Sequence, residues 1–147
     1  MNNKIDRIET WLYEKNQGEV LKMIPDIEDA EELYLYSYNY NWDNGFEIPR
    51  AIMGNESCVL ATALLLFYRA DGEMYLYNKE RNDRLVAWSD FIEELYRNIV
   101  SGNYDRGHIA FSIPLDKVSL YKLKKVLNED ESVFVNSIDG IDLDVNI

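Results

Sequence analysis

One cysteine, Cys58, and one histidine, His108, are the side chains from which nucleophilic catalysis would most readily be built, because a thiol needs an adjacent base to activate it. Nothing in their spacing brings the two together. Cys58 falls at the start of an apolar run, where a free cysteine behaves as a small hydrophobe. His108 follows Gly107 in a polar turn, and without a second histidine or a cysteine pair a zinc site is not expected. Asp43-Asn44-Gly45 has a fragment of calcium-loop chemistry, but the twelve-residue pattern fails where it runs on through Pro49 to Arg50 and Ala51. No glycine-rich run is present to cradle phosphate. Pairs of carboxylates abound, yet among 27 acidic residues they arise by chance and carry no glycosidase signal. The expectation is therefore no catalytic residue, no metal and no cofactor.

The concentration that does stand out is acidic and aromatic. Asp26, Glu28, Asp29, Glu31 and Glu32 lead directly into Tyr34, Tyr36, Tyr38 and Tyr40, followed by Asn41 and Trp42. Tyr and Trp offer large contact area at little entropic cost and are enriched in interfaces, so the acids with Tyr34, Tyr36 and Tyr38 form a candidate partner-binding surface. Packing of the same tyrosines into a helical core is the competing role. The formal charge of −12 repels nucleic-acid phosphates and anionic membranes and attracts a basic protein, while serving solubility equally well.

These residues must be positioned by helices. Ile5, Ile8, Trp11 and Leu12 recur at helical steps, with Gly18 as the expected stop. A short helical piece over 19–24 is closed by Pro25. Asp29 and Glu32 have capping-box spacing, which favours a helix from Ala30 over the strand that alternating tyrosines would also allow. Asn41 to Gly45 is turn chemistry, with Asp43 or Asn44 as cap and Gly45 at positive φ. A short helix over 46–53 holds Pro49 in its first turn. Ser57 is placed to cap a helix over 58–68, apolar nearly all round and hence central. Residues 74–77 are too few to divide between strand and helix.

Ser89 marks the start of a helix with Phe91, Ile92, Leu95, Tyr96 and Ile99 on one face and Gly102 past its end. Pro114 and Asp116 introduce a last one, with Val118, Leu120, Tyr121, Leu123, Val126 and Leu127 expected inside and Lys117, Lys122, Lys124 and Lys125 outside. Beyond it, 133–135 and 141–145 flank Asp139-Gly140 as in a β-hairpin, with 108–113 as a third strand. The fold class expected is mainly α, one multi-helix domain over 1–147 with a small C-terminal hairpin. The longest apolar stretch, 59–68, is about half the ~20 residues needed to span a bilayer. With no signal-peptide pattern and one cysteine, a cytoplasmic location is expected.

The run 38–52, with Asn55, Cys58, 61–68 and Asp71-Gly72, resembles the bacterial domain-of-unknown-function 4274 family over about residues 26–77. The resemblance implies a helix, a tight turn, a short proline-containing helix and an apolar helix in succession. It makes Asn41, Trp42, Asp43, Gly45, Phe46 and Pro49 a family signature, read as structural, with recognition on the turn as the alternative. It implies no activity. Similar proteins occur in settings associated with polymorphic toxins and their immunity proteins, which implies a protein partner. The expected function is a cytoplasmic immunity or antitoxin-type protein that binds a basic toxin domain without catalysis. An enzyme of unseen reaction and a regulatory interaction module are the alternatives.

Overall fold

A computed structural model describes residues 3–147. Helix α1 (Asn3–Glu9) widens into a π-helical turn, Thr10–Glu14, closed by the Lys15 N–H donating to Thr10 O at 3.0 Å. Gly18 is not the stop. The break comes at Asn16, whose side chain accepts the Glu19 N–H while the Glu19 carboxylate accepts the Asn16 N–H, so that Gly18 lies inside α2 (Gln17–Met23). That reciprocal cap outweighs the helix-breaking tendency of one glycine. A 3-10 turn, Ile24–Asp26, carries Pro25.

The tyrosine run is helical as expected, forming α3 (Ala30–Asn39) with Asp29 as its cap. The cap accepts the Glu31 N–H at 2.9 Å; Glu32 does not close the box but turns to Arg7. A 3-10 turn, Trp42–Asn44, leads to α4 (Glu47–Met53), which keeps Pro49 in its first turn. The central helix α5 (Leu60–Arg69) buries every residue from Ala61 to Phe67 against α3 and α7 (Val86–Val100). Its cap residue is Val59 rather than Ser57, and its first N–H groups are served in part by Asp105 O, which accepts from Leu60. Asp71, at φ 59°, starts α6 (Gly72–Tyr77), so residues 74–77 are helical. Gly72 is required there, because a Cβ would lie 2.4 Å from the Phe67 ring. In α7, Ser89 sits one turn inside and is buried, its hydroxyl bonded to the Asn82 backbone.

Two expectations in the C-terminal third are overturned. Helix α8 (Lys117–Val126), capped by Asp116, buries Leu123 alone; Val118 and Tyr121 are each 62% exposed and Val126 is exposed as well. The hairpin does not form either. Residues 133–135 close a 3-10 helix, Glu129–Val135, because Asn128 and Glu131 make a reciprocal cap and Phe134 inserts between Phe67 and Tyr96. The partner of the chain beyond Ile138 is instead 108–111: Phe111 bridges Ile138 antiparallel and Ile109 bridges Ile141 in the parallel sense. These isolated bridges are the only β-pairing among the described residues. Gly140 permits them, since a Cβ would lie 2.5 Å from His108 O. No helix among the described residues is long and apolar enough to cross a membrane.

Candidate partner-binding groove

The acidic run divides in two. Lys4 Nζ reaches Asp29 Oδ2 and Glu31 Oε1, both at 3.0 Å, and Arg7 grips Glu32 with two bonds, Nη2 to Oε1 at 2.7 Å and Nε to Oε2 at 3.0 Å. A planar guanidinium matches a carboxylate in this way, which makes Arg7–Glu32 the most specific joint between α1 and α3. Burial raises the Asp29 carboxyl, but Lys4 and the Glu31 N–H outweigh it and hold the group below its ordinary range. His108 Nε2 lies 3.6 Å from Glu31 Oε2. Asp26 and Glu28 are exposed and enter no ion pair among the described residues.

The tyrosines divide as well. Tyr36 is 3% exposed, in edge contact with Trp11 at 6.2 Å and tilted on Tyr40 at 6.1 Å, so it belongs to the core. Burial pushes its phenol upward, and that of Tyr40 to about 12. Tyr34 is buried as well, at 7% exposed, and only its edge, with the half-buried Tyr38, borders a groove between α3, the end of α5 and the C-terminal segments.

The groove encloses about 520 Å³. Leu65, Phe111 and Leu143 join the tyrosines in its apolar lining, and Asp71, Glu73 and Asp142 are its acids. Arg69 is its one cation among the described lining residues, and that charge is engaged: the guanidinium lies 4.3 Å over the Tyr38 ring and Nη1 donates to Tyr38 O at 3.1 Å. Burial, then the neighbouring Tyr38, raises the Tyr34 phenol, and Asp142 adds to the effect. Asn39 fastens one wall, its Nδ2 donating both to Leu35 O within α3 and to Val145 O in the tail.

The tight turn is built as a structural joint. Asn41, rather than Asp43 or Asn44, is the cap, accepting the Asp43 N–H at 3.0 Å. Gly45 takes φ 92°, which an L side chain resists, and its carbonyl accepts the Tyr40 O–H at 2.7 Å. Trp42 meets Tyr40, Phe46 and Phe91 edge-on at 5.4, 6.1 and 6.1 Å, and Phe46 lies 5.2 Å from Phe91. Pro49 is buried and the Asp43 side chain is exposed. Cys58 is 3% exposed, and burial pushes its thiol to about 12, whereas His108 is on the surface beside Glu31. The described residues offer no cluster of three or more His, Cys, Asp or Glu placed for a metal.

Of the residues that line the groove, the sequence singled out Tyr34 and Tyr38 but not Asp71, Glu73, Asp142 or Arg69, which lie far from them along the chain. The alternation over 141–145 was a signal for an extended wall, assigned there to a hairpin arm.

Residues 28–100 match the model of the family described as Domain of unknown function (DUF4274). The match runs from the cap of α3 to the end of α7, beyond the 26–77 span carried by the motifs, and includes the groove's tyrosines, Arg69, Asp71 and Glu73. The wall formed by 110–115 and 142–145 lies outside it. No curated protein and no solved structure gives a significant match.

Proposed function

We propose that this is a non-catalytic, immunity-type protein of the bacterial cytoplasm, which binds a basic toxic effector and blocks it. The observation that carries this reading is the groove: tyrosines and aliphatic side chains form its lining, three carboxylates line it too, and its cation is tied down on Tyr38. Desolvated aromatic and aliphatic surface sets how long a complex lasts, whereas charge acts on encounter. A chain of net charge −12 steers a cationic protein from a distance, and Asp26 and Glu28, which form no ion pair among the described residues, extend the acidic field beyond the groove.

The test is surface-plasmon kinetics with the product of the adjacent gene, together with growth rescue when the two are co-expressed. Binding and rescue are expected. The on-rate should fall about tenfold between low salt and 0.15 M, where charges more than about 8 Å apart are screened, with a smaller change in off-rate. Asp71→Asn with Glu73→Gln and Asp142→Asn should slow association and leave the circular dichroism spectrum unchanged. Absence of binding to that product, with no rescue, would overturn the reading.

A further inference from the structure

The chain beyond Ile141 forms no regular element and is scarcely paired. Asp142, Asp144 and Asn146 are exposed while Leu143, Val145 and Ile147 are half-buried, the two-residue alternation of a pleated strand. Leu143 and Val145 line the groove. After the Ile141 N–H has bonded to His108 O, the backbone N–H groups of Asp142, Leu143 and Asp144 have no protein acceptor among the described residues. Val145 O is held only by the Asn39 side chain, and the Asn146 N–H by the Asp144 carboxylate. In the neighbouring segment of the same wall, which the Ala110 N–H ties to Ile141 O, Phe111 pairs with Ile138 and the Ile113 N–H donates to Ser137 Oγ, leaving the Ser112 backbone between them without a protein partner among the described residues. The C-terminal wall thus carries unsatisfied main-chain groups of the kind that recruit an added strand.

From this geometry we infer that the groove holds an extended segment of the partner, laid beside residues 142–145, with alternate apolar side chains on Leu143 and Phe111 and lysine or arginine side chains at Asp71, Glu73 and Asp142. The inference rests on reading the groove as the partner-binding site, and it specifies the shape of what enters. Period-two spacing matters because a strand sends alternate side chains to opposite sides, one set to the apolar lining and the other to the acids. A helix laid in the groove would leave the main-chain groups of 142–144 and Ser112 unpaired. An acidic segment would face three carboxylates whose only countercharge in the lining already sits on Tyr38.

The experiment titrates the uniformly 15N-labelled full chain with a capped heptapeptide, Lys-Val-Lys-Val-Lys-Val-Lys, and follows backbone amide shifts. Two controls are used: the same peptide N-methylated at the three valines, and a peptide with glutamate in place of every lysine. Saturable shifts are expected at Ser112 and at 142–145, with affinity at least fivefold weaker after N-methylation and no saturation for the glutamate peptide. Shifts that are absent, that lie outside the groove or that survive N-methylation unchanged would overturn the inference. So would sedimentation showing that a second copy of the chain already occupies the groove. Because the peptides report on the groove alone, failure here with intact binding of the adjacent gene product removes the strand-addition geometry and leaves the proposed function standing. The converse pattern removes the proposed function and leaves the groove.

Discussion

Trp42 shows how a residue with the chemistry of a recognition hot spot can serve the fold. Its ring is the hub of an aromatic group joining the end of α3 to α4 and α7, through Tyr40, Phe46 and Phe91. Its Nε1 is buried without an acceptor among the described residues, which weakens the case for tryptophan over a plain aromatic at this point. Trp42→Ala should therefore cost about 3 kcal/mol, the lower end for removing a large core aromatic, since the side chain is only half-buried. Trp42→Phe should cost less than half as much, because the lost ring area is offset by relief of the unpaired N–H. Urea denaturation of both variants, beside a binding measurement, separates the roles. A Trp42→Ala variant with wild-type stability and no partner binding would make the turn a recognition site. The residue types of the turn were legible in sequence because Asn, Asp and Gly act locally. Which of them caps was not, since Asn41, Asp43 and Asn44 have similar local chemistry and only Asn41 accepts the Asp43 N–H.

At the scale of the element, the helices with strong internal signals were readable and their packing was not. The apolar run of α5 could only be central, and the acids at 29–32 made a helix of the tyrosine run, because caps and periodicity are written in adjacent residues. Helix α8 has comparable periodicity, yet amphipathic spacing does not say whether a neighbour exists for each apolar residue. The helix meets α6 and the 129–135 turn; Leu123 is buried and Leu120 half-buried, while Tyr121 faces solvent with Lys125 Nζ 4.3 Å from its ring centre. Substitutions distinguish the two arrangements. Leu123→Ala should lose about 3 kcal/mol, as expected for a fully buried leucine. Val118→Lys and Tyr121→Glu should each change stability by less than about 0.5 kcal/mol. Chemical denaturation would read all three, and a large loss at Val118 or Tyr121 would restore the buried face that periodicity alone suggested. The missing hairpin has the same origin: the Asn128 and Glu131 cap lay in the sequence, and the alternation beyond Ile138 was real, but its partner was 108–111.

For the whole molecule, the charge of −12 means one thing for association and another for stability. Much of the acidic run that looked available is spent inside the fold, on Lys4 and Arg7, and another carboxylate is enclosed altogether. Glu131, 1% exposed, caps the Asn128 N–H, accepts the Tyr96 O–H at 2.6 Å and meets Lys79 Nζ at 2.9 Å. Burial raises its pKa, but Tyr96 and Lys79 outweigh that and leave it below the ordinary carboxylate range, as Lys4 does for Asp29. Groups depressed in the folded state bind fewer protons than in the unfolded chain, so the stability they contribute is complete above about pH 5. It is lost as the pH falls through their lowered folded values. Acid has an opposite effect first, since neutralising exposed carboxylates relaxes the self-repulsion of an anionic chain. The melting temperature should then stay nearly level from pH 7 to about 5, rise slightly as exposed carboxylates of ordinary pKa begin to titrate, and fall steeply at lower pH. Salt separates the two limbs: 0.15 M ions screen the dispersed surface charge and flatten the rise, whereas enclosed Glu131 is little screened and the fall persists. Tyr96→Phe removes one donor to a charged acceptor and should cost about 2 kcal/mol at pH 7, with the deficit shrinking as the pH falls through the lowered range in which Glu131 takes up its proton. Melting curves of both proteins from pH 3 to 7, at two salt concentrations, supply the measurement. A deficit that stayed constant across that range would mean that the Tyr96 hydroxyl acts through packing alone and that the acid limb arises from other carboxylates.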